Sequence, residues 1–334
     1  MNPFRTIFAS LLALAALAAA VPALAPAAVV TREVAKSPAA IRDYWTQARM
    51  RAAEPVAVEP ATPPAPAPGP AEEDGAPTYV APAAPGSDAG ATIERGTATP
   101  GRASSRRSSP VLDATAAGVR THGKVFFTVK GGTDPGNFVC SGTAVHSRNK
   151  SLVWTAGHCV YDAETRGGKS VNFEFVPAYR AGAEPYGEWP AVELATTRRW
   201  KRDANLRYDM GAVVVARNSA GRTLQSVVGG RGIGFDQPRR QNYEVFGYPA
   251  ELPFTGELEY LCESPNRGAD VPGGGTGPKT LRVGCDMTGG ASGGGWIADG
   301  ILLSNTSYGY GTSPYLYGPY LSQTAKKLYK RARR

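Results

Sequence analysis

At 334 residues the chain has room for about two domains, or for one large domain with expendable ends. Its net charge of +9 is concentrated in residues 102–107 and 326–334, with no basic-and-aromatic module between them. That pattern argues against a nucleic-acid-binding class and reads as solvated charge.

The chain opens with Arg5, an apolar Ala/Leu run, and small residues around Ala23-Leu24-Ala25 and Ala27-Ala28. This is the layout of a secretory signal over 1–28. The run is too short and too rich in alanine and proline for a membrane span, and no later stretch is long and apolar enough. The expected product is therefore secreted, with no membrane span.

Residues 29–110 read as a pro-segment or linker, largely disordered. Ser37-Pro38 suits the start of a short helix, with serine as N-cap and proline in the first turn. Ile41, Trp45 and Ala48 would share one helical face. From 52 to 110 the chain is dense in Pro, Ala, Gly and Ser, with few large apolar residues to offset the entropy of ordering. The basic stretch 102–107 suits proteolytic removal, so the folded domain is expected over 111–334.

Beyond 110 the texture becomes β-rich, with short branched and aromatic runs between glycine, proline and asparagine turns. Strands are expected at 125–129, 138–145, 152–154, 171–176, 212–216, 243–248 and 301–303. About 225 residues of such strands suit an all-β fold of two packed antiparallel β-barrels. A C-terminal helix is expected over 322–331, with Leu328 and Tyr329 on its apolar side.

Four cysteines in an exported chain imply two disulfides, with three possible pairings. The local solution joins Cys140 to Cys159 and Cys262 to Cys285. The spacings do not suit zinc, and no metal or organic cofactor is implied.

Chemistry concentrates in Cys285-Asp286-Met287-Thr288-Gly289-Gly290-Ala291-Ser292-Gly293, where a serine lies among glycines. By itself this could be a surface loop. A serine held among free backbone amides could also attack a carbonyl while the amides receive the oxyanion. Serine needs a base, and the base needs an orienting carboxylate. Of the three histidines, His122 and His146 are expected to face solvent. His158 follows an apolar strand in Thr155-Ala156-Gly157-His158-Cys159. Asp209 stands at the mouth of the apolar run Met210-Gly211-Ala212-Val213-Val214-Val215, where a buried acid would need a hydrogen-bond donor. Asp162 and Asp203 read as surface acids.

With His158, Asp209 and Ser292 in this order, the chain resembles the chymotrypsin-fold serine proteases, and within them the bacterial glutamyl endopeptidase branch. The resemblance rests on Thr-Ala-Gly-His-Cys, Tyr-Asp-Met-Gly-Ala-Val and Cys-Asp-Met-Thr-Gly-Gly-Ala-Ser-Gly. Phe246-Gly247-Tyr248-Pro249 adds to it. It implies His158 as general base, Asp209 as its orienting acid, Ser292 as nucleophile, and the Gly290 and Ser292 amides as oxyanion hole. Asp286 matches the pocket-floor acid of trypsin-like members, although the glutamyl branch often carries an acid there too. Ser304 falls where glutamate-specific members place a histidine, and no histidine follows His158. A basic P1 side chain is thus slightly favoured over none, and strong glutamate selectivity is not expected. Ala291 replaces the aspartate that orders the oxyanion hole in the animal enzymes, and Gly295 stands where proline is usual. The expected partners are polypeptide substrates and the chain's own pro-segment, the protein being a monomer. The reading from another class is a non-catalytic secreted binding protein on the same fold.

Overall fold

The protein is described by a computed structural model, covering residues 28–56, 58, 60, 75–86, 107–272, 277–311 and 313–334. Residues 1–27 of the expected signal and residues 102–106 of the basic stretch lie outside the described residues.

Four short strands precede the main body: β1 (Val29–Glu33), β2 (Glu54–Pro55), β3 (Thr78–Val80) and β4 (Ser109–Pro110). The first half then builds β5 (His122–Val129), β6 (Gly136–Val145), β7 (Leu152–Thr155), the small hairpin β8 (Tyr161–Asp162) and β9 (Gly168–Lys169), β10 (Val171–Pro177), β11 (Trp189–Thr197) and β12 (Gly211–Val215). The second half builds β13 (Gly232–Phe235), β14 (Asn242–Gly247), β15 (Tyr260–Asp270), β16 (Thr280–Gly284), β17 (Gly295–Ala298), β18 (Ile301–Asn305), β19 (Tyr308–Gly309) and β20 (Tyr315–Gly318). Helices among the described residues are short: α1 (Pro38–Arg42), α2 (Gln47–Ala52), α3 (Arg198–Asp203), α4 (Leu224–Val228) and the longer α5 (Gln323–Ala332).

In the first half β10, β5, β6, β7, β12 and β11 pair in that order, and β11 pairs with both β10 and β12, closing an antiparallel barrel. Closure removes the open edges that a flat sheet would leave. The barrel is filled by alternating side chains such as Val125, Phe127, Val153, Phe173, Trp189 and Val213. The second half runs β19-β20-β16-β15-β14-β17-β18-β13, antiparallel except for β13 beside β18. Its core includes Tyr243, Val245, Leu281, Val283 and Trp296. The fold is thus the expected pair of packed β-barrels. The helix α5 seals the seam with Ala325, Leu328, Tyr329 and Ala332, against Trp154 and Phe235. Both disulfides have the local pairing, Cys140–Cys159 and Cys262–Cys285.

The stretch before residue 111 differs from expectation where it is described. Instead of being largely disordered, residues 28–56 and 75–86 lie on the barrels. They bury few large side chains, but they add strands to open edges, where backbone hydrogen bonds supply the pairing. The strand β1 extends β11 antiparallel, β3 extends β13 antiparallel, β4 pairs with β15, and β2 runs parallel to β6. The Ser37 hydroxyl caps α1 as expected. That helix ends at Arg42, however, and α2 restarts behind the Thr46 cap, so Ala48 is exposed instead of sharing a face with Ile41 and Trp45. Ile41, Trp45 and Met50 pack on Phe126, Tyr179 and Tyr248, and the Trp45 indole donates to the Asn172 carbonyl at 2.6 Å.

His122 and His146 are also corrected: both are buried. The His122 ring stacks on Phe246 with centroids 4.0 Å apart, and its Nδ1 lies 3.0 Å from Thr143 Oγ1. The His146 Nδ1 donates to the Ala81 carbonyl at 2.7 Å, so the preceding segment itself helps cover it.

Glu174 on β10 is fully buried, and neither carboxylate oxygen has a hydrogen-bond partner among the described residues. Burial, with Glu188 nearby, pushes its carboxyl up to about 9 from an ordinary 4.5, against the pull of Arg42. Between those values the folded chain holds more protons than the unfolded one, so stability falls as pH rises. Glu174→Gln should therefore change the melting temperature little at pH 4 and raise it at pH 8, by roughly 1–3 kcal/mol in unfolding free energy. Thermal unfolding of both chains across that range checks it.

Candidate active site

The site forms where the two barrels meet, and the local chain explains each placement. β7 ends at Thr155, and the turn Ala156-Gly157 delivers His158 beside Asp209, with Cys159 pinned to Cys140 on β6. Gly157 is required by close approach: a Cβ there would lie 2.8 Å from Asp209 Oδ1 and 2.8 Å from Trp200 Cδ1. Asp209 follows a single 3-10 turn, Leu206–Tyr208, and precedes β12, which fixes its direction into the interface.

Asp209 is fully buried. Its Oδ1 accepts the His158 backbone N–H at 2.8 Å, and its Oδ2 accepts His158 Nδ1–H at 2.8 Å. The Ser307 hydroxyl donates to the same Oδ2 at 2.6 Å. Three donors offset the cost of burying the carboxylate. Holding Nδ1 as the donor leaves Nε2 of a neutral ring as the acceptor. Burial lowers the affinity of His158 for a proton, but the Asp209 charge and hydrogen bond overcome it, and Glu164 and Asp162 add to them. The net effect raises its pKa above 6.5. Of the two acids read as surface groups, Asp203 is taken up by exposed Arg202, whereas Asp162 borders the same depression as His158.

Ser292 stands in the loop before β17, at the facing edge of the second barrel. The loop is anchored from the first barrel by Ser141. The Ser141 backbone N–H donates to the Ser292 carbonyl at 2.7 Å, and its hydroxyl donates to the Gly290 carbonyl at 2.9 Å while accepting the Tyr248 N–H. Gly290 has φ +92°, and a Cβ there would lie 2.6 Å from the Tyr248 carbonyl oxygen, so the loop needs glycine on both counts. The Gly290 N–H and the Ser292 hydroxyl both point at one acceptor, the Val56 carbonyl oxygen, at 3.0 and 3.4 Å. The His158 Nε2 is buried without a hydrogen-bond partner among the described residues.

Beside Ser292 opens a cavity of about 340 Å³, walled by Asp286, Thr288, Ser307, Tyr308 and Gly309, with Val58 at its edge. Asp286 thus lies at the expected cavity, with its Oδ1 accepting the Ser108 N–H at 2.7 Å. Ser304 does not border it. It is fully buried on β18 and donates to the Pro319 carbonyl at 2.8 Å, because β18 turns that face toward β20.

The structure therefore joins His158 to Asp209, places Ser292 and Asp286 along one cavity with Gly290 in the Ser292 loop, and leaves Ser304 apart. Sequence reasoning missed Ser141 and Ser307, which hold the loop and the acid. Ser141 carried one usable signal, its place next to a disulfide cysteine. Ser307 ends the run Ser304-Asn305-Thr306-Ser307, in which nothing singles it out. The cysteines near His158 are bonded to each other and offer no free thiolate to a metal.

No protein-family model matches the chain, and no curated protein matches it. Solved structures do. The protease Anisep from Arthrobacter nicotinovorans is 38% identical over 68% of this chain and 99% of its own, with a TM-score of 0.60. The thermostable serine protease AL20 from an extremophilic microorganism is 38% identical over 64% and 97%, with a TM-score of 0.58. A Glu endopeptidase matches at 16% identity over 68% and 97%, with a TM-score of 0.54, a likeness of fold alone. The higher identities thus fall on proteases not described as glutamyl enzymes. On this coverage and identity the chain belongs to the chymotrypsin-fold bacterial serine proteases.

Proposed function

We propose that the chain is the precursor of a secreted serine endopeptidase that cleaves peptide bonds through an acyl-enzyme. The observation that carries this reading is the Asp209 carboxylate, which fixes His158 through Nδ1 and leaves Nε2 without a hydrogen-bond partner among the described residues, as a free base requires. In the reaction His158 Nε2 takes the Ser292 proton as Oγ attacks the scissile carbonyl. The oxyanion forms against the Gly290 and Ser292 amides. The imidazolium, stabilised by Asp209, then protonates the leaving amine, and water repeats the sequence on the acyl-enzyme. Residues 29–110 act as a pro-segment. Two disulfides and protease relatives support an extracellular setting.

Two acids, Glu251 and Asp286, border the cavity that would accept the side chain before the cleaved bond. Glu251 is exposed, and its Oε2 accepts the Gly289 N–H at 3.2 Å. Asp286 is half-buried. The Ser108 N–H occupies its Oδ1 in the precursor, and release of residues 29–110 would free the carboxylate for a lysine or arginine head. A basic preference is the reading this supports, with no feature at Ser304 to select glutamate.

Fluorophosphonate labelling of the processed protein, followed by peptide mapping, should place the adduct on Ser292 and lose it in His158→Ala. Ser292→Ala should lower peptide hydrolysis by about 10⁴-fold or more. Absence of an adduct on folded, processed protein would favour the binding-protein reading instead. The acid limb of kcat/KM should lie above pH 6.5, since the base must be neutral and its protonated form is stabilised. Glu164→Gln should move that limb to lower pH, and less so at high salt because Glu164 is exposed. Asp286→Asn should reduce kcat/KM for substrates with lysine or arginine before the cut by about tenfold to a hundredfold, and leave apolar ones nearly unchanged.

A further inference from the structure

The segment around Val56 is placed where a substrate would be, and its direction decides what it can do. Pro55 sits on β6 opposite Val139, and the Val56 N–H donates to the Val139 carbonyl at 3.3 Å. The Val56 carbonyl takes the Gly290 N–H and the Ser292 hydroxyl. Two residues later the Val58 carbonyl accepts the Gly309 N–H at 3.3 Å, and the buried Val58 side chain packs with Trp200, Leu206, Tyr308 and Tyr317. The chain therefore crosses the cleft from the β6 side to the β19 side.

A cleavable peptide has to cross the other way. The nitrogen released from a scissile carbonyl lies on its C-terminal side and must collect a proton from His158 Nε2. His158 borders the depression that holds Pro55 and Val56 against Phe138, whereas Val58 borders the cavity beside Ser292, which His158 does not line. A substrate thus runs from the cavity toward β6, and would lie antiparallel to β6. The strand β2 is parallel to it. Beyond the Val56 carbonyl the chain heads for Val58 and the cavity beside Ser292, which His158 does not line. In a chain laid this way the C-terminal side of the Val56 carbonyl is the cavity side and not the side of the depression that His158 borders, so attack there would favour re-formation of the bond.

The contacts also disarm the nucleophile. The Ser292 hydroxyl donates to the Val56 oxygen, and a proton committed there is not presented to His158 Nε2. The acceptor position for an oxyanion is filled by a neutral carbonyl.

We propose that the active-site cleft is also a binding site for an extended peptide laid in the direction opposite to a substrate, and that residues 54–58 are its built-in occupant, an inhibitor that the enzyme cannot cut. Its grip combines main-chain pairing at both ends with one apolar anchor, Val58. Tethering through β1, α1 and α2 holds it at high local concentration, so release of the N-terminal segment is what opens the cleft. This inference rests on the protease reading above.

The test measures the rate of fluorophosphonate labelling of Ser292 in the full chain and in two variants outside the catalytic machinery. Val58→Asp places a charge in the apolar anchor site, and Val56→Pro removes the N–H that pairs with Val139. Both variants should label faster than the full chain by at least about tenfold, with a cooperative thermal transition retained. A synthetic peptide of residues 52–60, added to the Val58→Asp chain, should slow labelling again and be recovered intact by mass spectrometry. Equal labelling rates in all three chains would overturn the inhibitor and leave the protease standing. Cleavage of the Val56–Ala57 bond in the chain or the peptide would overturn the reversed direction. No adduct in any folded chain, with or without the segment displaced, would overturn the protease reading and this inference with it.

Discussion

The arrangement depends on one buried charge. Asp209 lies at the seam of the barrels with no exposed surface, and such a carboxylate survives only if donors surround it. Two of its donors come from His158 and one from Ser307 beyond β18, so satisfying the acid draws His158 and the second barrel to the same point. Gly157 lets the turn approach it, and Trp200 closes the other side. Removing the donors would leave an uncompensated buried ion, one of the costliest defects a protein interior can hold. The Ser307 hydrogen bond therefore ties the second barrel to the acid, and the His158 Nδ1 bond fixes the tautomer.

The second barrel is held in turn by Ser141. A small side chain that both donates and accepts ties the Gly290 carbonyl to the Tyr248 amide, while its backbone holds the Ser292 carbonyl. Because Ser141 adjoins Cys140, the disulfide to Cys159 ties His158 and the Ser292 loop to one place on β6.

The N-terminal segment shows how a chain poor in large apolar residues can still be placed. It builds no core of its own. It adds β1, β2 and β3 to edges that the barrels leave open, and pins itself with isolated anchors such as Ile41, Trp45 and Val58. Strand addition has a direction, and β2 takes the parallel one on β6.

Much of this was legible in the amino-acid order. The branched and aromatic runs at 125–129, 138–145, 171–176 and 243–248 mark strands because alternation on a pleated surface is a local property. The disulfide pairing followed from proximity along the chain, and His158, Asp209 and Ser292 stood out because each lies in a short motif whose chemistry is local. What the order could not fix was any relation between distant residues. Composition reads residues 52–110 as unable to fold, since it counts side chains and cannot see the sheet edges that receive the backbone of Glu54–Pro55 and Thr78–Val80. His122 and His146 look polar and exposed until Phe246 and Ala81 arrive from elsewhere to cover them. Ser304 and Ser307 are three positions apart in one polar run. Only the path of β18 and the turn after it sends the first to the Pro319 carbonyl and the second to Asp209. The sequence by itself determined the fold class and the chemical groups, because both are written in short-range pattern. Tertiary structure decided which groups meet, which edge the leading segment occupies and in which direction it lies, because those depend on contacts between residues far apart in the chain.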